Sequence, residues 1–99
     1  MTGAILIADG NRTRGEQIGT ACAARGFVTN LVPHGAAALE AALSNVPDVV
    51  VAPTDLSLID ASKLAEILRA NPRTQSTRFV FLGRPQEGAP DTGYFDEVL

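Results

Sequence analysis

Few side chains in this 99-residue sequence carry usable chemistry, and they lie far apart. Asp9 and Asp55 are acids placed just after apolar runs, where a carboxylate either ties down local backbone N–H groups or serves as a ligand. His34 stands between Pro33 and Gly35 with no acid nearby to orient it, which predicts a solvent-exposed loop imidazole rather than a general base. Cys22 is the only cysteine, so an internal disulfide and a multi-cysteine zinc site are excluded. Its neighbours Ala21, Ala23 and Ala24 predict a small buried thiol. Arg84, in Arg84-Pro85-Gln86, offers a guanidinium to a phosphate or carboxylate and is retained as a candidate ligand contact. With one His, one Tyr and no Trp, hydrolytic triads and histidine metal clusters have almost nothing to draw on. Gly10 and Gly83 form neither the dinucleotide fingerprint nor the Walker pattern. The sequence therefore points to a binding module, not an enzyme.

The elements that must position these residues are legible in outline. Ala4-Ile5-Leu6-Ile7-Ala8 is a continuous apolar run closed by Asp9-Gly10-Asn11, as a strand buried on both faces would be. Arg12 to Arg25 follows roughly helical spacing through Ile18, Ala21, Cys22 and Ala24, with Gly26 as a natural stop. Phe27 to Val32 alternates in the manner of an edge strand and ends at Pro33-His34-Gly35. Ala36 to Asn45 predicts a second helix with Leu39, Ala42, Leu43 and Val46 on one face, closed by Pro47. Asp48-Val49-Val50-Val51-Ala52 has the β-branched, non-alternating pattern of a central parallel strand. Asp60 or Ser62 can cap a third helix whose stripe is Leu64, Ile67 and Leu68, stopped by Asn71-Pro72. Phe79-Val80-Phe81-Leu82 is the fourth buried strand. The stretch from Gly83 to Gly93 is too rich in Gly and Pro for a long helix, and Val98-Leu99 starts a last strand.

Strand and helix alternate, so the expected fold is a doubly wound parallel α/β sheet, a single domain over residues 1–99. In such sheets ligands sit outside the carboxyl ends of the strands. Composition is ordinary for a globular chain, 45% hydrophobic and 19% charged, with net charge −3 and scattered basic residues, the wrong footprint for nucleic acid. No run approaches the roughly 18 apolar residues of a membrane span, and Asp9 comes too early for a secretory signal, so a cytoplasmic location is expected.

Taken together, Ile5-Leu6-Ile7-Ala8-Asp9, Pro47-Asp48-Val49-Val50-Val51, Asp60-Ala61-Ser62-Lys63-Leu64 and Leu68 to Thr74 followed by Phe79 to Leu82 resemble the receiver domain of bacterial two-component response regulators, the CheY-like (flavodoxin-like) three-layer fold. The resemblance covers nearly the whole chain. It implies a signal-transduction module and a phosphoryl-transfer pocket made of two acids after the first strand, an acceptor aspartate ending the third, a hydroxyl after the fourth and a lysine after the fifth. A hard divalent ion needs several oxygen ligands there, and the phosphoryl charge must be neutralised. Laid on this chain without gaps, Asp9 keeps one acidic position, the second acid is Gly10, the acceptor is Pro53 and the switch hydroxyl is Gly83. The lysine position falls beyond Leu99. The implied pocket is degenerate, with Mg²⁺ binding weak or lost and no other cofactor expected.

Relative to the family, the fourth helix is expected to be shortened or absent, the fifth helix missing, and the chain truncated after the start of the fifth strand. That predicts an uncovered apolar face above the first, fourth and fifth strands, closed by the rest of a longer signalling protein, by a protein partner or by a homodimer. The leading expectation is a phosphorylation-independent pseudo-receiver that binds a protein. The alternatives are a small-ligand sensor holding a nucleotide or other anion between Asp9, Pro53, Gly83 and Arg84, and a phosphoacceptor that uses Asp55.

Overall fold

Short runs rich in apolar residues, too brief to make a helix, become the strands of one parallel sheet, the central ones buried on both faces. The computed structural model describes residues 3–53, 58–82 and 97–98. In chain order the elements are β1 (Ala4–Ala8), α1 (Arg12–Ala24), β2 (Val28–Val32), α2 (Gly35–Ser44), β3 (Val49–Pro53), α3 (Ala61–Ala70), β4 (Arg78–Leu82) and β5 (Glu97–Val98). The strand order is β2-β1-β3-β4-β5, all pairs parallel, with Ile7 opposite both Leu31 and Val51 and Pro53 opposite Leu82. This is the expected doubly wound fold, with the alternating strand of the sequence at the β2 edge. At the amino ends of the strands, the Asp48 carboxylate accepts from the Ala4 N–H at 2.7 Å and clamps β1 to β3.

Side chains alternate across the sheet. Leu6, Ala8, Val50, Ala52 and Phe79 meet Ala38 and Ala42 of α2 and Leu64, Ala65 and Leu68 of α3 in the larger core. On the other face Ile5, Ile7, Val51 and Val80 form a smaller cluster with Ile18 and Cys22 of α1. These four sheet residues are 7%, 0%, 7% and 9% exposed, so where the sequence predicts an open face over the first and fourth strands, Ile5, Ile7 and Val80 are buried. The part of that face expected over the fifth strand lies outside the described side chains. The stretch expected to lack a fourth helix lies outside the described residues.

The α1 stripe also differs from expectation. Ala21 and Ala24 are exposed, Ile18 and Cys22 are half-buried, and the residue α1 buries is Gly15. A Cβ on Gly15 would stand 2.6 Å from the Leu31 side chain, so the helix settles on the sheet through a glycine contact that a search for apolar periodicity overlooks. Gly26, at φ +92°, takes the left-handed stop after α1. Val46 falls beyond the end of α2 and is 43% exposed rather than part of its apolar face.

Each helix is capped by a side chain. Asn11 accepts from the Arg14 N–H and, of the two candidates for α3, Asp60 accepts from the Lys63 N–H. His34 is not the free loop residue expected from its flanking Pro and Gly. It is half-buried, and its Nδ1 accepts from the Ala37 N–H at 3.0 Å, which starts α2 one residue early, at Gly35. His34→Ala is expected to cost about 1 kcal/mol, and His34→Asn to recover most of it, as read from chemical denaturation. Between α3 and β4 the hydroxyls of Thr74 and Thr77 are buried on the carbonyls of Leu68 and Pro47, and no buried side-chain polar atom among the described residues lacks a partner.

Candidate functional site

Strand order reverses between β1 and β3, because the chain leaves β1 toward β2 and returns across it to β3. The crevice outside the carboxyl ends of these two strands is where such sheets bind ligands. Asp9 and Gly10 follow β1 on one side of it, and Pro53 ends β3 on the other.

Asp9 is anchored by its own N–H to the Val32 carbonyl, and its side chain is fully buried. One carboxylate oxygen accepts from Arg14 Nε at 2.7 Å. The other accepts from Arg14 Nη2 at 2.8 Å and from the Asn11 N–H at 2.9 Å. The guanidinium therefore grips the carboxylate with two parallel bonds, the strongest geometry available to this pair. Burial alone would push the Asp9 carboxyl up, but the hydrogen bonds from Arg14 and Asn11 and the Arg14 charge outweigh it and hold the group below its ordinary value of 3.8. Asp9 is thus ionised at neutral pH with its charge already matched.

Sequence reasoning missed Arg14. Arg12 and Arg14 stand at the first and third positions of α1, where the helix dipole disfavours cations, and the first turn holds no acid. Two arginines against the dipole need local anions. Arg12 finds Glu16 at 2.9 Å and Arg14 finds Asp9. That mismatch was the available signal.

Pro53 is inside β3, not after it, and its ring is fully buried. Its ring carries no side-chain oxygen. Gly10 is exposed, with the Pro33 carbonyl oxygen 3.4 Å from where its Cβ would stand. Asp55, Gly83 and Arg84 lie outside the described residues. Asp9 and Gly10 stand at the carboxyl end of β1 with Arg14 bound to Asp9, and Pro53 ends the neighbouring β3. Among these described residues Asp9 supplies the one carboxylate, and both of its oxygens accept from Arg14. Among the described residues no three His, Cys, Asp or Glu side chains gather to hold a metal.

The α2 side of the crevice is built on a close contact. Gly35 packs so tightly beneath the segment leading into α3 that a Cβ there would overlap the Ile59 carbonyl. Beside it Leu58 adopts φ +69°, unusual for a branched side chain, with 76% of its surface exposed.

No protein-family model matches the chain, and no curated protein matches it. Solved structures do. The N-terminal domain of a response regulator receiver protein from Methanoculleus marisnigri is 22% identical and superposes with TM-score 0.85 over 98% of this chain and 82% of its own. The chemotaxis response regulator CheY4 of Vibrio cholerae is 14% identical, with TM-score 0.90 over 100% and 86%. The receiver domain of a Pseudomonas aeruginosa sensor histidine kinase, which carries a magnesium ion in its active-site cleft, is 17% identical, with TM-score 0.83 over 100% and 84%. At these identities the likeness is one of fold: the chain has the CheY-like receiver architecture.

Proposed function

We propose that this receiver-fold chain is a signal-transduction module that works without aspartyl phosphate, by binding a protein partner or the remainder of a longer signalling protein. The observation that carries the reading is the Asp9–Arg14 pair. In a metal-dependent pocket the acid after β1 faces a cation supplied from solution, whereas here both carboxylate oxygens accept from a guanidinium of the same chain. Pro53, buried at the end of β3, adds a floor with no nucleophile. Such a crevice is neutralised in advance and weak for Mg²⁺. Regulation then comes from a binding partner that favours one state of the domain rather than from phosphate.

The test is an amide NMR titration with Mg²⁺ followed by beryllofluoride. Unchanged resonances at Asp9, Gly10, Asn11 and residues 54–56 and 83–84 are expected. Saturable shifts at these positions that disappear in Asp55→Asn would overturn the proposal in favour of a phosphoacceptor. Shifts produced by inorganic phosphate or a nucleotide and lost in Arg84→Ala would overturn it in favour of an anion sensor.

A further inference from the structure

The β2 edge of the sheet is left open in a way that sheet proteins normally avoid. Val28 donates its N–H to the Gly3 carbonyl, and the Val32 carbonyl accepts from Asp9, so residues 28, 30 and 32 turn their backbone polar groups toward β1. By alternation Thr29 and Leu31 turn theirs outward, and among the described residues no strand pairs with that side. Edges are usually blunted by Lys, by Pro or by a bulge. Residues 27–32, Phe-Val-Thr-Asn-Leu-Val, contain no charge and no proline, and Phe27, Val28 and Leu31 are 37%, 61% and 36% exposed.

Both faces beside this edge are also underfilled. Toward β2, α1 presents Gly15, Gly19 and Ala23, leaving a hollow of about 460 Å³ next to Thr29 and Leu31. On the opposite face α2 presents Ala41, leaving a hollow of about 330 Å³ next to Val28 and Asn30.

We infer that this edge pairs with the same edge of a second copy, antiparallel about a two-fold axis at Asn30. The register follows from the backbone. Thr29 of one copy must face Leu31 of the other for the outward groups to bond, which places Asn30 opposite Asn30 and Val28 opposite Val32. Both Thr29–Leu31 pairs then exchange two hydrogen bonds, and the two sheets join into one. Leu31 of the second copy then stands opposite Thr29, beside the α1-side hollow, and its Val32 stands opposite Val28, beside the α2-side hollow. No charged residue opposes another within the six-residue segment, so nothing in the strand resists self-pairing. An isologous contact of this kind closes after two copies. It does not depend on whether the crevice accepts phosphate.

Asn30 would form the non-hydrogen-bonded pair at the axis, where Cα atoms stand about 4.5 Å apart, within the range a disulfide spans. In a Cys22→Ser background, Asn30→Cys is expected to form a disulfide-linked dimer under mild oxidation. Val28→Cys, whose symmetry mate lies roughly 13 Å away along the strand, is expected to form none. Sedimentation of the native chain is expected to show a concentration-dependent dimer, and Thr29→Pro, which removes an outward N–H and no bond to β1, is expected to abolish it while the helical circular dichroism signal and unfolding midpoint of the monomer persist. A chain that sediments as a monomer at every concentration, equal cross-linking at positions 28 and 30, or a dimer that survives in a folded Thr29→Pro variant overturns the inference.

Discussion

Gly35→Ala is expected to destabilise the domain by about 3 kcal/mol or more, lowering the unfolding midpoint by roughly 12–24 °C for a domain of this size. The cause is a backbone collision. The new Cβ would overlap the carbonyl of Ile59, and a carbonyl in the segment entering α3 cannot rotate away as a side-chain tip can. Relief requires α2 or that segment to shift, which disturbs Ala38 and Ala42 on one side and Ala61 and Leu64 on the other, all in the larger core. The internal control is Gly15→Ala. Its Cβ meets the mobile end of Leu31, and the substitution gains up to about 1 kcal/mol of helix propensity, so its net effect is expected to be small. Thermal unfolding followed by circular dichroism distinguishes the two. Similar midpoints for both variants would show that the Ile59 segment yields without cost.

The second large effect belongs to Arg14. Removing one partner of a buried pair costs about 3–5 kcal/mol, and because the Arg14 side chain is 39% exposed we expect the lower end for Arg14→Ala. The pH dependence separates this from a general packing loss. In the native chain the Asp9 carboxyl is held below 3.8, so its stabilising contribution is complete at neutral pH. It is lost only as pH falls below about 4 through the depressed value. In Arg14→Ala only the Asn11 N–H bond still opposes burial, and the carboxyl moves up. The ionised form then destabilises the fold at neutral pH, and protonation relieves it, so the deficit is expected to shrink as pH falls toward 4. Adding Asp9→Asn to Arg14→Ala should recover much of the stability at pH 7. A deficit that stays constant from pH 7 to 4 would contradict the pairing account.

How much of this was legible in the sequence depended on what each residue answers to. The strands were readable because Ile5 to Ala8 and Val49 to Ala52 are apolar on both faces, a pattern that only a covered parallel sheet rewards. The parallel, doubly wound character followed from the alternation of strands and helices, and the edge position of the second strand from the alternating pattern of Phe27 to Val32, whereas the order of the strands is seen only in the structure. Helix α1 was misread on its packing face because close approach by Gly15 leaves no mark in a hydrophobic pattern. His34 was misread because capping depends on where the chain turns, which Pro33 and Gly35 suggested only as a break. In the site, Asp9 and Gly10 could be placed because they follow a strand, and Pro53 because it stands at the end of one. Arg14 could not be placed by periodicity, since its importance lies in a bond across the turn between β1 and α1. The open face was inferred from a missing element, yet on the first and fourth strands Ile5, Ile7 and Val80 are buried.

The clamp between Asp48 and Ala4 has a consequence for how the chain assembles. It joins residues 44 positions apart, and β1 can acquire its second neighbour only after β3 exists. A nascent chain that has emerged as far as α2 holds one parallel strand pair, with Leu6 and Ala8 facing a core that still lacks Leu64, Leu68 and Phe79. Two parallel strands and two alanine-rich or glycine-rich helices bury too little to stand alone. Productive folding therefore waits for β3, α3 and β4, and non-local closure of this kind sets a slow step compared with helix formation. During synthesis the exposed faces of β1 are the part of the molecule most in need of protection from wrong contacts.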